Sequence, residues 1–233
     1  ARSESVNTGA GSRKAADNLH AHGIDALVAI GGDGTLRGAS ELYDEHGIAV
    51  VGCPGTIDND LYGTDQTIGY DTALNTAIDN IDRIRDTADA HNRLFLVEVM
   101  GRDAGFIALN CGIGGGAELI LIPETITEMD MVKERILSLM TAQRRSTIVV
   151  VAEGDELGGA QGIERALRDD AAFSDIELRS TILGHTQRGG APTASDRVLA
   201  SRLGVAAVES LMDGHSDVMV GMTHNEIKLP PVR

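Results

Sequence analysis

Short apolar runs alternate along this chain with stretches in which apolar residues recur every three or four positions. The runs 25–30, 49–53, 94–100, 118–122, 147–152, 179–183 and 218–222 read as strands. The clearest helix spans 70–90, where Leu74, Ala77, Ile78, Ile81 and Ile84 share one face and Asp79, Asp82 and Arg83 lie opposite. Met131, Ile136, Leu137 and Met140 mark the core face of a second helix, and a third is expected around 163–167. Strand and helix alternate, which predicts an α/β fold with mostly parallel sheets. The glycine-rich stretches 112–116 and 154–162 read as flexible, the second as a surface loop. No composition break marks a linker and no repeat appears.

Composition narrows the function classes. The chain has 233 residues, of which 42% are hydrophobic, enough for one large domain or two small lobes. Net charge is −15 and aromatics make up 3%, with no Trp. Such a chain has neither the general field nor the stacking surface for nucleic acid, so none is expected as a partner. Anionic ligands would have to be caught by local arginines. No run of 18 apolar residues and no signal peptide is seen, so no membrane span is predicted and a cytoplasmic location is expected. Cys53 and Cys111 stand alone, without metal spacing, and read as buried reduced thiols.

Two loops carry the candidate chemistry. Gly31-Gly32-Asp33-Gly34-Thr35 follows the first strand and opens a helix. Glycines let backbone N–H groups approach phosphate oxygens, the helix start adds positive potential, and Asp33 sits where a carboxylate holds Mg²⁺ between phosphates. The alternative is an ordinary strand-to-helix turn. After the second strand comes Pro54-Gly55-Thr56-Ile57-Asp58-Asn59-Asp60. Open α/β sheets bind ligands at that strand end, and there one carboxylate can take a substrate proton while another stays near a metal. The alternative is an Asx-rich turn of solvated acids.

Read with Met100-Gly101-Arg102 and Leu183-Gly184-His185-Thr186-Gln187-Arg188-Gly189-Gly190, these loops resemble the ATP-dependent bacterial-type 6-phosphofructokinases, over positions 2 to about 222. The first loop alone would also suit an NAD or lipid kinase; the second and the 183–190 segment would not. The resemblance implies two Rossmann-like lobes, a nucleotide lobe of 1–69 plus 184–233 and a sugar-phosphate lobe of 70–183. It implies phosphoryl transfer from ATP to the 1-hydroxyl of fructose 6-phosphate, a step of glycolysis, in an allosteric homotetramer. A pyrophosphate-dependent enzyme or a silent regulatory subunit are the other readings.

Carried over residue by residue, the resemblance makes Asp58 the base, Thr56 a phosphoryl ligand and Asp60 an orienting acid. Arg102 meets the transferred phosphate while Met100 and Gly101 contact the sugar. Glu153 accepts from fructose hydroxyls, and His185 and Arg188 bind the 6-phosphate. Arg93 and Arg179 reach the phosphate of a neighbouring copy. Arg2, Gly32, Gly34, Thr35 and Gly38 line the nucleotide site, with Mg²⁺ at Asp33. Gly34 and Gly55 favour ATP, because the pyrophosphate branch carries Asp and Lys there: the Asp would repel an α-phosphate and the Lys would occupy the γ-phosphate's space. Leu36 and Arg37 are less typical of the pocket wall. Glu118 and Arg144 match an effector site, whereas Ala142 and Ser146 depart from it. The chain opens Ala1-Arg2-Ser3; the expected reading is a fragment lacking the family's first ATP loop and closing helices, and the alternative is a natural short form.

Overall fold

The structure is a computed structural model that describes residues 9–87, 93–141 and 146–232. Its strands are β1 Ala26–Gly31, β2 Ala49–Pro54, β3 Arg93–Val99, β4 Leu119–Leu121, β5 Ser146–Ala152, β6 Glu177–Ile182, β7 Val218–Met219, β8 Gly221–Thr223 and β9 Glu226–Lys228. Its helices are α1 Gly9–Ala21, α2 Asp33–His46, α3 Tyr70–Thr87, α4 Phe106–Gly114, α5 Met129–Thr141, α6 Gly159–Arg168 and α7 Ala194–Met212, with short 3-10 turns at Ala171–Phe173 and Gly184–Arg188. They form two compact units. One takes the described residues up to Thr56, Asp60–Gly69 and those from Thr193; the other takes Ile57–Asn59 and Tyr70–Pro192.

The second unit is a four-stranded parallel sheet in the order β4-β5-β3-β6. Side chains alternate across it. Val97, Val99, Ile148 and Val150 face α3 and α4 through Ala77, Ile81, Ile107 and Cys111. Leu94, Leu96, Val149 and Val151 face α5 and α6 through Ile136, Ile163 and Leu167. Burial on both faces is why these strands read as unbroken apolar runs. On α3, Ala77 and Ile81 are buried and Leu74, Ile78 and Ile84 pack against them, while Asp79 and Arg83 pair on the solvent side at 2.9 Å.

The first unit pairs β1, β2 and β7 in parallel. Val50 and Ile48 pack with Ala16, Ala39 and Leu42 of α1 and α2, and Val51 and Cys53 with Leu199, Leu203 and Ala207 of α7. Gly47 ends α2 with φ 68°, and its N–H bonds to the Tyr43 carbonyl at 2.9 Å, the usual left-handed stop.

Several expectations need correction. The run 218–222 is split between β7 and β8. β8 pairs with β9 across a turn in which His224 and Asn225 both have positive φ. The stretch 112–116 is no flexible tract: Gly112 to Gly114 close α4. A Cβ on Gly112 would lie 2.6 Å from the Ile120 side chain, and one on Gly115 2.7 Å from Ile81, so these glycines permit close packing. Met131 is 68% exposed, one position off the Val132–Ile136–Leu139 face of α5. The loop expected over 154–162 gives way to α6 at Gly159. The helix of 70–90 is seen to Thr87; its last three positions lie outside the described residues. The chain returns to the first unit at Thr193, not at Gly184, because Leu183 and Gln187 are tied into the second unit's core and β3 end.

Candidate active site

In the first unit β1 runs into Gly31 and α2 starts at Asp33. Gly32 is extended and precedes the helix without a side-chain cap; the Thr35 amide bonds to the Gly32 carbonyl at 2.9 Å, and the helix start ahead of it suits an anion. A Cβ on Gly31 would collide with Thr35, and one on Gly32 would come within 3.3 Å of Thr56. At Gly34 a Cβ would meet nothing within 4 Å. The Gly55 N–H bonds to the Gly31 carbonyl at 2.9 Å, and the Thr67 hydroxyl bonds to the Thr56 carbonyl at 2.6 Å. The unit thus brings Gly32, Gly34, Thr35 and Thr56 onto one strand edge. Gly38 is buried within α2 and Asp60 is exposed. Arg2 lies outside the described residues, as do Ala142 and Arg144.

Asp33 pairs with Arg37 at 2.8 Å, both well exposed. Among the described residues no three His, Cys, Asp or Glu side chains gather as a metal site. Mg²⁺ keeps several waters and needs only one or two carboxylates beside phosphate oxygens. A lone exposed carboxylate among glycines therefore fits Mg²⁺ that arrives on a polyphosphate, and the exposed pairing with Arg37 is cheap to break.

In the second unit most of the expected acceptor-side residues follow a strand end. Asp58 is buried, 4% exposed, and its Oδ2 lies 3.9 Å from Arg102 Nε. That is too long for a hydrogen bond and close enough for charge attraction. Met100, Gly101 and Arg102 turn sharply after β3, with φ of 149° at Gly101 and 55° at Arg102. Glu153, just after β5, accepts from the Gly101 and Arg102 amides at 3.2 and 2.8 Å. His185 and Arg188, after β6, lie on the 3-10 turn Gly184–Arg188. At three residues per turn they share a face, and both are exposed. Met100, Gly101, Arg102, Glu153, His185 and Arg188 thus occupy the C-terminal edge of three adjacent strands, β5-β3-β6.

Arg93 and Arg179 are elsewhere. Arg93 opens β3 and Arg179 is near the start of β6. At about 3.3 Å per residue, β3 puts roughly 20 Å between Arg93 and the Arg102 turn. Both guanidiniums are held by Glu177, at 2.7 Å from Arg93 and 2.6 Å from Arg179. Their hydrogen bonds, Arg93's first, hold the Glu177 carboxyl below its ordinary range. Glu177 was not foreseen; it meets Arg93 from 84 positions away in the chain, and the sequence carries no signal for that pairing. Glu118 accepts from the Ile148 N–H at 2.8 Å and lies 3.8 Å from Arg85. Ser146 opens β5.

The phosphofructokinase family model matches residues 1–211. ATP-dependent 6-phosphofructokinase 1 of Thermus thermophilus is 57% identical over all 233 residues, which span 71% of its length. The chain belongs to the phosphofructokinase family. ATP-dependent 6-phosphofructokinase 2 of Bacteroides thetaiotaomicron is 52% identical over 99% of this chain and 70% of its own. Among solved phosphofructokinases, that of Pichia pastoris in the T-state aligns over the whole chain with a TM-score of 0.87 and 37% identity, and this chain spans 27% of it. A pyrophosphate-dependent phosphofructokinase of Marinobacter aquaeolei aligns over 95% of this chain and 62% of its own with a TM-score of 0.81. At 24% identity that likeness concerns the fold alone.

Proposed function

We propose that this chain carries the chemistry of an ATP-dependent 6-phosphofructokinase, moving the γ-phosphoryl group of ATP to the 1-hydroxyl of fructose 6-phosphate. The observation that carries the reading is a buried carboxylate, Asp58, 3.9 Å from the half-exposed Arg102 guanidinium. Phosphoryl transfer needs positioning and charge stabilisation more than covalent help. Asp58 accepts the proton of the 1-hydroxyl as that oxygen attacks phosphorus. Arg102 stabilises charge on the transferring group, and Thr56 donates to a phosphoryl oxygen. The second oxygen of Glu153 receives a sugar hydroxyl, and Asp60 orients the loop. His185 and Arg188 grip the 6-phosphate, Arg188 as a fork.

The donor side rests on the open backbone at Gly32 and Gly34, with Thr35 at the helix start and Gly38 lining the nucleotide wall beside Arg2. Asp33 would hold Mg²⁺, which when bound neutralises phosphate charge. The open space around a Gly34 Cβ supports ATP over pyrophosphate, as does the likeness to the ATP-dependent enzyme of Thermus. Arg93 and Arg179, at the far edge of the sheet from Arg102, serve the 6-phosphate of a neighbouring copy, so the working form is a homo-oligomer, in keeping with a tetramer. Glu118 is the described member of an effector site.

The test is a coupled assay on the intact protein. ATP with fructose 6-phosphate should give fructose 1,6-bisphosphate, and NAD should not be phosphorylated. Pyrophosphate replacing ATP would overturn the donor assignment; NAD as acceptor, or no turnover at all, would overturn the function.

A further inference from the structure

We propose that Gln187 is a positioning residue that fixes the Met100-Gly101-Arg102 turn and ties it to the phosphate-binding 3-10 turn. The inference rests on the acceptor-site reading above. Three consecutive backbone amides are held by side chains from other elements. Met100 N–H donates to Gln187 Oε1 at 2.8 Å, and the Gly101 and Arg102 amides donate to Glu153. The turn needs such support, because Arg102 holds φ 55° without being glycine, and that conformation persists only where the surroundings over-determine it.

Gln187 differs from its neighbours. It is 1% exposed, whereas His185 and Arg188 on either side are exposed. Its Nε2 has no partner among the described protein atoms. An apolar side chain of the same size would fill the space without burying an amide. Packing alone therefore does not account for Gln here, and the hydrogen bond to Met100 does. The consequence is mechanical. His185 and Arg188 sit on the same rigid turn as Gln187, so gripping the sugar phosphate also sets the backbone from which Arg102 reaches.

The experiment compares the intact protein with Gln187→Met, close in size but lacking the acceptor. Backbone exchange at Met100 should quicken about tenfold or more. KM for fructose 6-phosphate should rise and kcat should fall, together by about 10–100-fold, since small misplacements near the chemistry have that effect. KM for ATP should stay within about twofold. Equal rises in both KM values with a lowered melting temperature would mean a merely structural role and overturn the proposal, as would unchanged kinetics. Should the variant not fold, exchange in the unmodified protein decides: fructose 6-phosphate, and not ATP, should slow the Met100 amide, and no such slowing overturns it. Failure of the unmodified protein to phosphorylate fructose 6-phosphate would instead strike at the function itself.

Discussion

Asp58 shows what one buried side chain commits the chain to. Asp58→Ser in the intact protein should lower kcat by about 10²–10⁴, the usual loss with a general base, while fructose 6-phosphate still binds by calorimetry. Arg102 is 58% exposed on its side chain, so water can solvate it once its partner is gone and the fold should hold. Near-normal kcat would remove Asp58 from the base role. Gly34 is the complementary case. A Cβ there meets nothing within 4 Å, and Asp in the first turn of a helix is favourable. Gly34→Asp should therefore keep or slightly raise the melting temperature yet abolish ATP use, because the new carboxylate faces a phosphate. An unchanged KM for ATP would show that Gly34 does not line the donor site. The thiols give a pH prediction. Burial lifts Cys53 from 9.0 to about 11 and Cys111 to about 12. The folded chain keeps both protons where the unfolded chain loses them, so their contribution is whole below pH 9.0 and fades as pH rises through the folded values. Each thiol should steepen alkaline destabilisation by about 1.4 kcal/mol per pH unit. Denaturant melts at stepped pH, against a Cys53→Ala, Cys111→Ala variant, would read the difference; identical slopes would contradict it.

At the scale of elements, the Arg102 turn depends on a glycine from another strand end. Gly154 follows β5, and a Cβ on it would collide with the Arg102 carbonyl. Gly154→Ala should displace that turn, lowering kcat/KM for fructose 6-phosphate by about tenfold or more while KM for ATP holds. Unaltered sugar kinetics would mean the turn tolerates the shift. Strands β1 to β6 were legible to within a residue or two, since burial on both faces leaves an unbroken apolar signature such as that from 147 to 152, whereas the β7–β8 break and the short exposed β9 were not. The helix α4 was not, because Gly112 and Gly114 are poor helix formers by propensity, and it is the approach of Ile120 and Ile78 that requires them. On the site, residue types at strand ends were legible from motif alone. What the sequence did not reveal was support: Gln187 behind Met100, Glu177 between Arg93 and Arg179, Glu153 turned toward backbone amides. Those are long-range pairings with no periodicity to betray them.

For the whole molecule, the placement of arginines at both edges of one sheet makes a prediction about copies in combination. An Asp58→Ser protein and an Arg93→Ser, Arg179→Ser protein should each be nearly inactive. Co-expressed in equal amounts, they should recover roughly a quarter of the activity, the share of sites that draw an intact Asp58 from one copy and intact arginines from its neighbour. No recovery in verified hybrids would mean that each copy works with its own arginines. A last consequence follows from the three residues Ile57–Asn59, which belong to the second unit although the segments on either side belong to the first. The second unit is therefore not a continuous stretch of chain. A gene segment covering 70–192 would carry the sheet, both core layers, Arg102 and Glu153, yet leave Asp58 behind. On the proposed reading, recombination that moved this unit into another protein would transplant the sugar-phosphate ligands without the base, so the reaction would be inherited only along with the segment that carries Asp58.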